Sequence, residues 1–286
     1  MNKIGLITTQ NVNNYGAALQ CYALYYRLQK YGKVNVINYN NQFIGKSMEL
    51  LRFSFDTKGF LSCLKDLLRI SSRKRAIDNF KIFQKDNYQI TEPMKKEDLI
   101  FLSESYDYFI AGSDQIWNPN CISSDSKIDP TYFLNFGTKK TIMSSYASSI
   151  GDYKFNEEEK NEIQKYLLNF KRISVREADS QNYLEKLLGL DVEHVCDPTL
   201  LMDKNEYIEL LKGKNIKKIY DKYILVYSVC RTPSIKSFAT QKAKELGLPI
   251  IYVDQDPFFN IKGAYKIKDA GPVSYTHLTL PTKRIV

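Results

Sequence analysis

The chain has 286 residues, of which 43% are hydrophobic and 26% are charged, a composition typical of a folded globular protein. Its formal net charge of +9 favours anionic partners such as phosphorylated small molecules or anionic lipid. The basic residues are spread out and no known nucleic-acid-binding module occurs, so we expect no nucleic-acid partner. The sequence has neither a signal-peptide h-region nor a run of about 18 apolar residues, which predicts a cytoplasmic protein.

The cysteines are odd in number, widely scattered and without C-x-x-C spacing; they are Cys21, Cys63, Cys121, Cys196 and Cys230. This pattern predicts neither a disulfide framework nor a zinc site. We therefore expect buried free thiols, and no metal or cofactor.

The N-terminal residues follow the pattern of a βαβ unit. Ile4–Thr8 predicts a short buried strand, and Asn11–Gly16 predicts a polar turn. Ala17–Tyr31 predicts a helix closed by Gly32, and Val34–Tyr39 alternates as a second strand. Such a unit is typical of the start of a doubly wound sheet.

A helical region is predicted from Lys58 to about Asn87, with an interruption near Ser71. Apolar residues at helical spacing are accompanied by basic ones: Phe60, Leu61, Leu64, Leu67 and Leu68, with Lys65, Arg69, Arg73, Lys74 and Arg75. One interpretation is a basic amphipathic helix that lies on an anionic membrane. The alternative is a helix with a core face and a solvated basic face.

Strands and helices then alternate along the chain. The predicted strands are Tyr106–Ala111, Thr141–Ala147, Arg172–Val175 and Val192–Val195, and the predicted helices are Asn156–Asn169 and Glu177–Leu188, the latter ended by Gly189. This alternation favours an α/β fold, a mostly parallel sheet with helices on both faces.

The segment Cys196–Thr199 predicts the end of this sheet. We expect an N-terminal domain over residues 1–203 and the start of a second domain over 204–272. The second is predicted to contain the helices Lys204–Lys212 and Ser234–Leu246 and the strands Tyr223–Ser228 and Pro249–Val253. Because two strands bury too little apolar surface to be stable, we expect this second domain to be incomplete.

The last residues, 273–286, break with the preceding pattern. Val273–Thr282 reads Val-Ser-Tyr-Thr-His-Leu-Thr-Leu-Pro-Thr, which resembles the translation of a transposase-based sequencing-library adapter. The alternative is a native β-hairpin. We expect a non-native tail, which is excluded from reasoning about the fold and leaves His194 as the only native histidine.

Four regions carry a resemblance to a known family. They are Ile7–Gln20, Ala111–Asn118, Ser144–Gly151, and Ser174–Ser180 followed by Cys196–Thr199. In this order, across residues 4–272, they resemble the bacterial polysaccharide pyruvyl transferase family. The resemblance implies two Rossmann-like domains facing a cleft, like those of GT-B glycosyltransferases. It also implies transfer of a pyruvyl group from phosphoenolpyruvate to two hydroxyls of a sugar.

The implied acceptor is a sugar or a lipid-linked oligosaccharide, a precursor of a surface polysaccharide at the inner face of the membrane. Family members carry a catalytic histidine in a Phe-His-Gly motif beyond the segment that starts here with Gly271 and Pro272. The predicted tail stands in that place, so we expect a transferase parent and an inactive chain as given. The other interpretations are a GT-B glycosyltransferase with a nucleotide-sugar donor and a non-catalytic sugar-binding relative.

Arg176 is the residue predicted to bind the donor. It follows a predicted strand at its carboxyl end, where doubly wound sheets bind their ligands. Its planar guanidinium can hold a carboxylate or a phosphate with two parallel hydrogen bonds. The alternative is a salt bridge to Glu177 or Asp179.

The loop between the first strand and the first helix is predicted to bind the acceptor, through Asn11, Asn13, Asn14, Tyr15 and Gly16. Asparagine amides and the N–H groups of a helix start can hydrogen-bond sugar hydroxyls or a phosphate. The alternative is an ordinary polar turn in which Asn13 or Asn14 caps the helix.

A second polar segment follows a predicted strand and contributes Ser113, Asp114, Gln115 and Trp117 to the predicted acceptor site. Asp114 is the candidate base or sugar ligand, Gln115 a hydroxyl partner and Trp117 a platform for a pyranose ring. The alternatives are core packing for Trp117 and capping of the next turn by Asp114. No Ser-His pair supports a catalytic triad, and we expect structural roles for His194 and Asp197.

Overall fold

The computed structural model describes residues 1–55, 57–214 and 219–280. The strands are β1 (Lys3–Ile7), β2 (Lys33–Val36), β3 (Tyr108–Ala111), β4 (Ile142–Ser145), β5 (Phe170–Val175), β6 (Val192–His194), β7 (Ile224–Tyr227), β8 (Ile250–Val253) and β9 (Tyr265–Ile267). The helices are α1 (Tyr15–Leu28), α2 (Gln42–Gly45), α3 (Thr57–Leu68), α4 (Ile70–Asn87), α5 (Pro119–Ile122), α6 (Glu157–Leu167), α7 (Ala178–Leu188), α8 (Lys204–Leu211), α9 (Pro233–Leu246) and α10 (Pro272–Thr279).

The chain forms two compact units, each built from two separate stretches. Unit 1 holds Met1–Met48 and Gln84–Asp203, and unit 2 holds Glu49–Phe83 and Lys204–Val286. Helix α3 therefore belongs to the same unit as the second sheet. The domain limits of 1–203 and 204–272 and the GT-B-like arrangement stay predictions.

Unit 1 is built on a six-stranded sheet in the order β2-β1-β3-β4-β5-β6. All neighbouring strands in it are parallel. Strand β1 is buried on both faces, with Leu6 and Ile7 excluded from solvent, and Phe109 and Ala111 of β3 are excluded from solvent as well. Burial on both faces explains why these strands read as apolar runs in the sequence, and the predicted α/β class is confirmed.

Local signals located most helices of unit 1, but not the end of α1. Gly189 caps α7 in the left-handed conformation (φ 67°), as predicted. Helix α1 begins at Tyr15 and already ends at Leu28, so Gly32 does not close it. Instead, a Cβ at Gly32 would overlap the Asn2 carbonyl, and the neighbouring Lys33 N–H donates to that carbonyl at 2.8 Å. Gly32 permits this close approach of the backbone.

Unit 2 contains a parallel sheet in the order β7-β8-β9. The prediction of two strands was wrong by one, because β9 is only three residues long and is half-exposed, with no apolar run to mark it. Val226, Ile250, Tyr252 and Phe259 form the buried core of this sheet.

The basic residues of the α3–α4 region do not all lie on a solvated face. This finding corrects the interpretation of a helix with a core face and a solvated basic face. Asp66 of α3 is fully buried and receives ion pairs from Arg52, Arg69 and Arg73. The Arg73 side chain is only 2% exposed and also donates to the Glu49 and Leu50 carbonyls. Charged side chains are buried at tolerable cost only when they are paired in this way.

Residues of the predicted tail form most of helix α10. Thr276 and Leu278 are buried in unit 2, and the Leu278 carbonyl accepts a hydrogen bond from Tyr223 Oη at 2.9 Å. The alternative hairpin is therefore wrong, because 273–279 are helical. The adapter origin of 273–286 stays a prediction, and its last residues, 281–286, lie outside the described part of the chain.

The expectation of buried thiols holds for Cys21 alone. Cys121, Cys196 and Cys230 are exposed, and Cys63 is half-buried. Cys196 and Cys230 follow strands β6 and β7, at strand ends where the backbone comes to the surface.

Candidate functional site

Polar side chains gather at the carboxyl ends of the parallel strands of unit 1. Strand β1 runs into Thr8 and Thr9, β3 is followed by Ser113 and Asp114, and β5 by Arg176. The sheet order places β2 on one side of β1 and β3 on the other, so the direction of winding reverses between β1 and β3. Open α/β sheets bind ligands at such a switch point, which makes this edge the candidate site.

Hydrogen bonds join the two strands that flank the switch point. Thr8 Oγ1 donates to the Ser113 carbonyl at 2.7 Å, and Thr9 Oγ1 donates to Asp114 Oδ2 at 2.5 Å. Buried Gln20 of α1 donates from Nε2 to Thr8 Oγ1 at 3.0 Å. The candidate base Asp114 is thereby held in one orientation by residues far away in the sequence.

Asp114 has an unusual backbone conformation, with a φ of 82°. Aspartate tolerates the left-handed region better than most residues, because its short side chain can bond the nearby backbone. Here Asp114 Oδ1 accepts the Gln115 N–H at 2.8 Å. The side chain therefore caps the local turn, which was the alternative role, and also accepts the hydrogen bond from Thr9. Ala147, which follows β4 at the same edge, also has a positive φ of 54°. Such conformations cluster at functional sites.

Arg176 forms the salt bridge that was the alternative to a donor-binding role, and a second one besides. Its Nε lies 3.0 Å from Glu177 Oε1 and its Nη1 lies 3.1 Å from Asp197 Oδ2. Burial alone would lower the pKa of Arg176, but hydrogen bonds and charges from Glu177 and Asp197 outweigh burial and raise it. The Arg176 side chain is 27% exposed, and its guanidinium stays positively charged.

Asp197 connects three parts of this edge. Its Oδ2 accepts from Arg176 Nη1 and, at 3.3 Å, from Ser113 Oγ. Its Oδ1 accepts from the N–H and the hydroxyl of Thr199, at 2.9 and 2.7 Å. The predicted turn role is observed, and the ion pair with Arg176 is added to it.

Tyr146 lies beside this cluster and contacts Cys196. Burial, followed by the neighbouring Cys196 and Asp197, raises the pKa of Tyr146 to about 12. The Tyr146 hydroxyl therefore keeps its proton at neutral pH and can act as a hydrogen-bond donor at this edge.

The loop predicted to bind the acceptor lies before α1. Asn14 is the N-cap of α1, and its Oδ1 accepts the Ala17 N–H at 3.2 Å. The Asn13 N–H donates to Ser47 Oγ at 3.0 Å, and Tyr15 is buried, while Gly16 is exposed and Asn11 half-buried. The capping alternative is thus observed for Asn14. Acceptor binding by this loop stays a prediction.

The structure does not support sugar stacking on Trp117. The ring is completely buried and stacks on Phe133, with ring centroids 5.3 Å apart and an interplanar angle of 11°. Its Nε1 donates to the Tyr132 carbonyl at 2.9 Å. A ring packed in this way has no face open to a pyranose, so the platform role was wrong. Core packing, the alternative, is what the structure shows.

Gln115 points into a local network as well. Its Oε1 accepts from Asn118 Nδ2 at 2.7 Å and from Cys121 Sγ at 3.3 Å. Ser113 is fully buried, with its hydroxyl directed at Asp197. Both side chains are therefore already hydrogen-bonded to neighbouring residues.

Sequence reasoning did not propose Thr8, Thr9 or Asp197 as site residues. The signal for the two threonines was available, because they directly follow a predicted parallel strand, as Asp114 and Arg176 do. His194 lies near Arg176, with Nε2 3.1 Å from its carbonyl oxygen, as a structural contact.

Two features are absent from the described part of the chain, a metal-ligand cluster and a membrane-spanning helix. Within 1–55, 57–214 and 219–280, no three His, Cys, Asp or Glu side chains are arranged to hold a metal ion. No helix among these residues is both long and apolar enough to cross a bilayer.

A parallel sheet with a polar cluster at its switch point defines a Rossmann-like α/β protein with a candidate ligand site at the strand ends. Comparison with known families identifies the family as well as this class of fold. The family model for polysaccharide pyruvyl transferases matches residues 14–271, and the chain belongs to that family. No curated protein matches the chain. The resemblance seen in the sequence motifs is confirmed.

Proposed function

We propose that unit 1 binds phosphoenolpyruvate through Arg176, for transfer of its pyruvyl group to two hydroxyls of a sugar in a surface-polysaccharide precursor. Family membership supports the reaction class. One observation carries the donor assignment: Arg176 stands at the carboxyl end of β5, partly exposed, and its Nη2 donates to no described residue. A guanidinium nitrogen of this kind can hold a carboxylate or phosphate oxygen.

The reaction requires two new C–O bonds at carbon 2 of the donor. Protonation of the methylene carbon makes carbon 2 electrophilic, the two sugar oxygens attack it in turn, and the bond to the phosphate oxygen breaks. One hydroxyl proton ends on the new methyl group and the other on the released phosphate. Asp114, oriented by Thr9, is the proposed base for a hydroxyl proton.

The proposed acceptor contacts come from the loop before α1, where Asn11 and Asn14 are accessible and Asn13 lies between them. Ser113 and Gln115 support this edge through Asp197 and Asn118. The proposal requires only hydroxyl groups within reach of Asp114.

Donor binding at Arg176 has to compete with two carboxylates. Phosphoenolpyruvate is itself an anion, and Glu177 and Asp197 already hold Nε and Nη1 of Arg176. Removing the charge of Glu177 lowers this competition. Glu177→Gln should therefore strengthen donor binding, whereas the same change in a purely structural salt bridge would leave donor binding unaffected.

Calorimetric titration of the chain with phosphoenolpyruvate tests this assignment. Arg176→Ala should weaken binding at least about tenfold, since a charged hydrogen bond contributes about 1.5–3 kcal/mol. Arg176→Lys should recover only part of the loss, because a point charge does not replace the planar group.

Thermal unfolding of the same variants is the control, and a nucleoside diphosphate is the comparison ligand. Unchanged affinity in Arg176→Ala together with a large loss of stability would show that the salt bridge is structural only. Tight binding of the nucleoside diphosphate without binding of phosphoenolpyruvate would favour the glycosyltransferase alternative.

A further inference from the structure

Helix α3 exposes its apolar side chains. Five of them have exposed fractions between 47% and 63%: Phe60, Leu61, Leu64, Leu67 and Leu68. They recur at spacings of three and four residues, so they lie along one side of the helix as a continuous stripe. We call these five residues the α3 stripe. Phe53 and Phe55, which precede the helix, are exposed as well.

The opposite side of α3 faces inward. Gly59 and Asp66 are the buried positions of the helix among those described. Asp66 Oδ1 and Oδ2 accept from the guanidinium groups of Arg69 and Arg52 at 2.8–2.9 Å. Rotating α3 to bury the leucines would separate Asp66 from these partners, which costs more than a leucine gains by burial. The outward direction of the α3 stripe is therefore a consequence of the Asp66 network.

The surroundings of the α3 stripe are basic. Residues 52–75 contain seven basic and two acidic residues. Three further carboxylates pair with this segment, in Lys65–Asp256, Lys74–Asp78 and Arg75–Asp269. With these acids included, the segment keeps a surplus of two positive charges in its sequence. Asp66 is the only acid of α3 itself, and it is fully buried.

We propose that the α3 stripe docks this protein onto an anionic membrane surface. Phenylalanine and leucine enter the boundary between headgroups and acyl chains, while neighbouring lysines and arginines meet the anionic headgroups. A second copy of the chain fits this surface less well, because a two-fold dimer would place the same basic patch against itself. Docking through α3 does not depend on donor binding at Arg176.

Co-sedimentation with vesicles tests the proposal on the whole chain. The vesicles are phosphatidylcholine alone and an equal mixture of phosphatidylcholine and phosphatidylglycerol. We expect binding to the mixed vesicles, and at least about tenfold weaker binding for a variant with Leu61→Gln, Leu64→Gln and Leu68→Gln. Glutamine is a good helix former and should keep α3 intact.

The matched control carries Phe238→Gln and Leu246→Gln on α9, where the native side chains have similar exposed fractions of 55% and 52%. Its binding to the mixed vesicles should equal that of the unchanged chain. Equal loss in both variants, or equal binding of the unchanged chain to neutral and anionic vesicles, would overturn the proposal. So would absence of vesicle binding together with dimerisation that depends on the α3 stripe.

A second measurement keeps the test valid if the triple variant does not fold. The native chain has a single tryptophan, Trp117, which is buried in unit 1. Phe60→Trp therefore adds a reporter on the α3 stripe, and Phe238→Trp adds one on α9. Only the reporter at position 60 should shift its emission to the blue with anionic vesicles. A shift at both positions, or at neither, would contradict docking through α3.

Discussion

Replacing Asp66 by asparagine should destabilise unit 2 by about 3 kcal/mol. The change keeps the size of the side chain and removes the charge that holds Arg52, Arg69 and Arg73 together. Breaking a buried ion pair by removing one partner costs about 3–5 kcal/mol, because it leaves the other charge buried without compensation. We expect the lower end, since Arg52 and Arg69 are 34% and 10% exposed and can regain water.

The titration of Asp66 gives a second measure of the same network. Burial alone would raise the pKa of Asp66, but hydrogen bonds from Arg52 and Arg69 and the charge of Arg73 outweigh it and lower the pKa to about 2. Relative to an ordinary aspartate, this shift corresponds to about 2 kcal/mol of stability at neutral pH. The two magnitudes agree to within about 1 kcal/mol, as expected for such contributions.

Urea unfolding followed by circular dichroism measures the effect, and hydrogen exchange of α3 and α4 localises it. A group whose pKa is lower in the folded state stabilises the fold above its unfolded pKa. The difference in the free energy of unfolding between the native chain and Asp66→Asn should therefore be largest at neutral pH. It should shrink as the pH falls from about 4 towards about 2, where Asp66 takes up a proton.

The control is Asp78→Asn, which removes an ion pair to Lys74 whose side chains are both exposed. This change should cost no more than about 0.5 kcal/mol. If Asp66→Asn were as mild as Asp78→Asn, or if its effect did not depend on acid, the reasoning about the Asp66 network would be refuted.

The remaining predictions concern unit 1. Asp197→Ala should cost about 1 kcal/mol more than Asp197→Asn, because only asparagine retains an oxygen for the Thr199 N–H; equal losses in urea unfolding would refute this. Trp117→Ala should cost about 3–5 kcal/mol, because it leaves a cavity beside Phe133 and an unpaired Tyr132 carbonyl. A stable Trp117→Ala chain that loses only sugar binding would instead restore the platform role.

Much of the fold could be predicted from the sequence, because its elements depend on local patterns. The apolar runs of β1 and β3 are short and bounded by polar residues, as expected of strands in the interior of a parallel sheet. Gly189 marked the end of α7, since glycine adopts the left-handed conformation without a steric penalty. The same local reasoning placed Asp114 and Arg176 at strand ends, and the ordered motifs identified the family.

Tertiary structure alone decided which side of an element faces inward and which distant residues meet. The bond between Thr9 and Asp114 spans 105 positions, and Arg176 meets Asp197 across 21. The spacing of leucines in α3 predicted the stripe, but only the partners of Asp66 turned it outward. Trp117 was open to two interpretations until its neighbours were known. Burial of a side chain depends on the free energy of contacts with residues remote in sequence, and a local pattern does not contain that information.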